Sequence, residues 1–213
     1  MASPLRLRAA ALLAVFSSLQ LVACGDTPTG PDPVQRITEL PRALSAAEEE
    51  VIGAGNRFAF DLVGRVVRPD TNVFVSPLSA SMALGMTMNG AEGETWSQMR
   101  ETLGFGELSE EEIDASYRDL LELLTGLDPS VEIAIGNSVW ITEGFPVLAS
   151  FQDAVREFFD ARVETLDFAA PDAAETMNAW VREVTRDLID GIVQDPIDPD
   201  IVVFLINAIY FKG

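Results

Sequence analysis

The chain has 213 residues, 48% of them hydrophobic, and its 34 acidic residues outweigh 14 basic ones to a formal net charge of −20. That is enough for one large domain or two small ones, and so acidic a surface repels phosphate backbones, so no nucleic-acid partner is expected. Histidine is absent and lysine occurs once, at Lys212, which excludes a Ser–His or Cys–His catalytic pair and a Cys–His metal set within this chain; no enzyme activity and no cofactor is expected.

Arg6 and Arg8 form a basic start, followed by an apolar stretch from Ala9 to Val22 that is short for a membrane span. Leu21-Val22-Ala23-Cys24 then resembles a bacterial lipobox. On that pattern residues 1–23 are a signal peptide, and Cys24 is the lipid-attachment site and mature N-terminus. The product is an exported, membrane-anchored lipoprotein facing the periplasm or the cell exterior; an ordinary secretory signal with an incidental cysteine is the alternative. As the single cysteine, Cys24 cannot form an internal disulfide. Residues 24–44 are rich in Pro, Thr, Gly and Asp and read as a tether.

Residues 45–213 read as the folded part. Ser45-x-x-Glu48 is a capping box opening a helix whose apolar face is Val51, Gly55, Phe58, Leu62 and Val66, stopped by Pro69. Val73 to Val75 reads as a short strand running into a buried helix with Ser76 as N-cap and Pro77 at the first helical position. Leu78, Met82, Leu84, Gly85, Met86 and Met88 leave that helix no polar face, and Asn89-Gly90 supplies a left-handed end. Met82, Met86 and Met88 read as core filling. A second helix carries Trp96, Met99 and Leu103 to Gly104. Ser109-x-x-Glu112 opens another, with Ile113, Tyr117, Leu120, Leu121 and Leu124 as its stripe. The acidic runs Glu48-Glu49-Glu50 and Glu110-Glu111-Glu112 sit in first turns, where they favour the helix dipole and are expected to be solvated.

Alternation at Val131, Ile133 and Ile135, continuing through Val139 and Ile141, predicts a strand. Leu148, Phe151, Val155 and Phe158 predict a helix, residues 162–168 a strand, and Ala174, Met177, Val181, Val184 and Leu188 the buried face of a further helix. Trp140 and Trp180 read as core. Ile201 to Phe211 is a near-continuous apolar run with β-branched residues, predicting a strand buried on both faces and central in its sheet. Asn207 interrupts it; an amide in such a place needs partners.

The string Asn72 to Phe105, with Ser-Pro-Leu-Ser at the mouth of a buried helix and Leu-Gly-Phe closing the next, resembles the N-terminal signature of the serpin family. Asn207 to Gly213 (NAIYFKG) resembles that family's motif at the end of the third strand of its main sheet. Asn178, Trp180, Val181 and Thr185 match the pattern of the helix lying across that sheet; after Thr185 the match lapses, since serpins commonly read Asn-Gly-Lys where this chain has Arg186-Asp187-Leu188.

The resemblance implies an α+β serpin fold and a serine-type peptidase inhibitor that traps a serine (sometimes cysteine) peptidase by inserting its cleaved reactive-centre loop as an extra strand. It implies that Ser76, Ser79 and Asn207 belong to a shutter-like polar network beneath the main sheet, with Asn207 in hydrogen-bonding reach of the Ser76–Ser79 turn. It covers roughly the first half of a serpin domain. The chain is therefore expected to be a truncated, monomeric portion, inactive as given, whose Ile201–Phe211 strand has an unpaired edge. A non-inhibitory serpin-like binding module is the alternative.

Overall fold

The computed structural model describes residues 37–213. The first helix, α1 (Ala46–Val66), starts at the expected capping box: Ser45 Oγ accepts from Glu48 N at 3.2 Å and Glu48 Oε2 accepts from Ser45 N at 2.7 Å. Glu48 is not solvated, as its acidic run suggests. It is 2% exposed, because Arg42 from the approach to the helix donates to its carboxylate (Nη1 to Oε2, 2.9 Å) and also to the Asp119 carbonyl at 3.1 Å. That guanidinium, helped by Ser45, holds the Glu48 carboxyl down to about 2.

Ser76 caps α2 (Pro77–Met88), with the proline at the first helical position. The left-handed end expected at Asn89-Gly90 does not form. Asn89 has φ −62° and the helix closes with its own amide donating back to the Gly85 carbonyl. The left-handed cap appears instead on α3 (Gly93–Leu103), at Gly104 with φ 77°. α4 (Glu110–Gly126) repeats the capping box with Ser109 and Glu112. The expected strand at Val73–Val75 is extended chain that no described strand pairs with, and Phe74 is fully exposed.

The sheet has the order β2-β1-β3. β1 (Glu132–Thr142) is central, parallel to β2 (Ala161–Leu166) and antiparallel to β3 (Val203–Lys212). α5 (Ala149–Phe159) joins β1 to β2, and α6 (Ala173–Thr185) precedes β3. Among the described residues β3 has β1 as its one neighbour, so the edge expected to be unpaired is unpaired, while the central place read from its apolar run is not seen within these three strands. Both of its faces are covered, Val203 and Leu205 against one core and Phe204 and Ile206 against another, until its end, where Phe211 is 65% exposed.

Strand period sorts the two faces. Ile135, Val139 and Ile141 of β1 and Val203 and Leu205 of β3 point into the larger core, built on α1, α2, α4 and α5 around Met82, Met86, Ile113, Tyr117 and Phe159. Trp140 of β1 and Phe204 and Ile206 of β3 point the other way, into a smaller core closed by Met177, Trp180 and Val181 of α6. Gly136 lets α6 come close, since a Cβ there would stand 2.7 Å from Val184. Leu188, expected on the buried face of α6, lies beyond the helix end and is 74% exposed. Leu148 likewise sits at the N-cap of α5 rather than on its buried face, 70% exposed.

Candidate functional site

Two polar constellations stand out against these apolar faces. The first lies where β1 and β3 run side by side over α2. Asn137 and Asn207 are direct cross-strand partners, both on the face toward the larger core. Asn207 Nδ2 donates to Asn137 Oδ1 at 2.8 Å, and Asn137 Nδ2 donates to the Phe159 carbonyl at 2.7 Å. Asn207 Nδ2 also lies 3.7 Å from Met82 Sδ. Asn207 Oδ1 is buried without a partner among the described residues, a cost that calls for a donor.

Ser76 and Ser79 do not supply it. Ser79 N and Ser79 Oγ both donate to Ser76 Oγ, at 3.3 Å and 2.9 Å, and Ser76 is exposed. The expected hydrogen bond between Asn207 and this turn is not made among the described residues. Asn207 instead meets α2 one turn further along, at Met82, because its register opposite Asn137 sets where it crosses the helix. Asn137 is the partner that sequence reasoning missed. The signal was available: Asn137 breaks the apolar set Ile133, Ile135, Val139 and Ile141 just as Asn207 breaks its own strand.

The second constellation ties the chain after α6 back onto that helix. Asn178 Oδ1 accepts from Ile192 N at 2.8 Å and Val193 N at 2.9 Å, while Asn178 Nδ2 donates to the Val193 carbonyl at 2.8 Å. One amide thus satisfies three backbone groups of the loop. Gly191 has to be small, since a Cβ there would strike the Asn178 side chain at 2.7 Å. Thr185 Oγ1 donates to the Val181 carbonyl and accepts from Ile189 N. Trp180 is 7% exposed and stands edge-on to Trp140, ring centroids 6.4 Å apart. Asn178 and Thr185 therefore hold the chain after α6, while Trp180 packs the helix against the sheet.

A further titratable group was not anticipated. Asp114 of α4 is 3% exposed and accepts from Asn89 Nδ2 at 2.9 Å, linking α4 to the end of α2. Burial pushes its carboxyl up to about 6, with Asn89 opposing the shift. Between α1, α2 and α4 lies a cleft of about 480 Å³ lined by Leu44, Val51, Leu78, Met82, Leu120 and Leu124. Among the described residues no group of three or more His, Cys, Asp or Glu side chains could hold a metal, and no helix is long and apolar enough to cross a membrane. Cys24, the expected lipid-attachment site, lies outside the described residues.

This arrangement of a helix-backed sheet crossed by a single helix is that of a known family. The family model described as Serpin (serine protease inhibitor) matches residues 53–213. The chain belongs to the serpin family. Iripin-2 of Ixodes ricinus is 34% identical over 171 residues, covering 78% of this chain and 43% of that protein. Corticosteroid-binding globulin of Saimiri sciureus is 37% identical over 162 residues, covering 73% of this chain and 40% of that protein. The crystal structure of human thyroxine-binding globulin aligns with a TM-score of 0.70 at 32% identity, over 78% of this chain and 46% of that one. The chain thus spans less than half the length of these relatives, and its fold is that of a serpin with an incomplete sheet.

Proposed function

We propose that the chain forms part of a lipid-anchored, serpin-type inhibitor of serine or cysteine peptidases. The observation that supports this best is the match of residues 53–213 to the family model described as Serpin (serine protease inhibitor), a family in which a cleaved reactive-centre loop is taken up as an added strand. In this reading Asn207, with Asn137, forms the sheet side of a shutter-like network and Ser76 and Ser79 its helix side. The buried, unpartnered Asn207 Oδ1 is where the network receives its further donor. Asn178, Trp180 and Thr185 hold α6 against the sheet. Cys24 carries the lipid and anchors the exported, monomeric protein to the membrane through residues 24–44.

The test reads the coding DNA beyond codon 213 and incubates the encoded protein with a panel of serine peptidases. A Gly-Thr-Glu-Ala-like hinge and a covalent complex that survives SDS support the proposal; a stop at the next codon, with no complex, defeats it. Lipidation is tested separately, by labelling cells with radioactive palmitate and comparing the chain with Cys24→Ala.

A non-inhibitory binding module is the second reading. The apolar cleft between α1, α2 and α4 favours it, being of the size and character of a small-ligand site. Two of the relatives above are named for corticosteroid and thyroxine binding. Saturable quenching of tryptophan fluorescence by such a ligand, lost in Leu120→Glu, would support this reading over the first.

A further inference from the structure

α6 ends at Thr185, and the chain then passes through two consecutive left-handed residues, Arg186 (φ 52°) and Asp187 (φ 62°). Aspartate tolerates that region; arginine does so poorly, since its Cβ crowds the following carbonyl. A conformation of this kind persists only where the surroundings over-determine it. Here part of the reason is the backbone, with Asp187 N donating to the Arg182 carbonyl at 2.8 Å and Leu188 N to the Thr185 carbonyl at 3.1 Å. The rest is where the left-handed turn sends the side chain. The Arg186 guanidinium ion-pairs with Glu132 of β1 and stands 5.3 Å over the ring of Tyr210 of β3. Ala134, two residues from Glu132 on the same face, is the cross-strand partner of Tyr210, so one side chain spans two neighbouring strands.

We propose that Arg186 is a clasp that holds the C-terminal end of α6 down on the β1–β3 surface, and that breaking it lets α6 and the 186–193 loop lift while the opposite core stays folded. An ion pair and a cation–π contact, each modest at a partly exposed site, act together because both draw on one guanidinium. Among the described residues this end is also attached by the packing of Val184 and Trp180 over Gly136 and by Val193 in the smaller core, while the Asn178, Arg182 and Thr185 bonds stay within the α6 unit itself. Nothing in this inference requires the inhibitor reading; it concerns the coupling of α6 to the sheet in whatever the protein does.

The test is hydrogen exchange with mass spectrometry on the full chain, comparing Arg186→Ala, Glu132→Ala, the double variant and Arg186→Gly at low salt and at about 0.5 M NaCl, where exposed ion pairs are screened. The clasp predicts that Arg186→Ala speeds exchange of residues 173–193 by about fivefold and leaves α2 and α4 unchanged. It predicts that the double variant is no faster than Arg186→Ala, and that salt accelerates the unaltered chain only. Arg186→Gly separates clasp from strain, because it removes both. A merely strained cap would be relieved, and exchange would slow; the clasp predicts that it does not slow. Arg186→Ala within twofold of the unaltered chain, slower exchange in Arg186→Gly, or equal acceleration of every helix would overturn the proposal.

Discussion

The two faces of the sheet are covered in different ways. One is packed by α1, α2, α4 and α5 around residues such as Met86, Ile113, Val155 and Phe159, all fully buried. The other is covered, among the described residues, by α6 together with Phe168, Val193, Ile197 and Ile201 from the connecting segments, with a smaller apolar set and a fringe of side chain-to-backbone bonds from Asn178 and Thr185. The first face is held by burial, which is non-directional and scales with area. The second is held by a smaller buried set, Met177 and Val181 among it, supplemented by directional contacts from Asn178 and Thr185 that can be broken singly.

The sharpest way to break the contrast is on the packed face. Phe159→Ala empties a fully buried site beside Tyr117, ring centroids 5.0 Å apart, and should cost about 3–5 kcal/mol in urea unfolding, with all elements lost together. On the α6 face, Asn178→Ala strips two loop N–H groups of their acceptor and should cost about 1–3 kcal/mol. Its damage should be local: limited proteolysis should cut within residues 186–193 while the other core stays protected. If Asn178→Ala unfolds the whole domain as Phe159→Ala does, the two faces are not independent.

Two carboxyls on the packed side give the comparison a pH axis of opposite signs. Glu48 is depressed to about 2 from an ordinary 4.5 by Arg42, so its contribution is present at neutral pH and lost as pH falls through that interval. Arg42→Ala should lower the Tm by roughly 5 °C at neutral pH and move acid unfolding to higher pH. Asp114 is raised from 3.8 to about 6 by burial, so the folded state prefers it protonated and stability declines as pH rises through that window. Asp114→Asn, which keeps an acceptor for Asn89, should raise the Tm by roughly 2–4 °C above pH 6 and make no difference near pH 3. Thermal melts across pH check both signs.

Much of this fold was legible in the residues because it is written locally. The capping boxes at Ser45 and Ser109, the Ser76-Pro77 start, the Gly104 stop and the helical stripes depend on neighbours three and four positions away, and they formed where expected. The serpin family was legible too, from motifs long enough to exclude coincidence. What only the tertiary structure decided involves partners far apart in sequence. Asn207 bonds to Asn137 across 70 positions and meets Met82 across 125, and the register between β1 and β3, rather than either strand's own pattern, put it there instead of at Ser76 and Ser79. Glu48 was buried by a guanidinium that also reaches Asp119, 77 positions from Arg42. Leu188 left the α6 face because Arg186 turned left-handed toward two strands. Helix period and capping are short-range and survive in a sequence; burial and polar pairing are set by whatever the fold brings alongside.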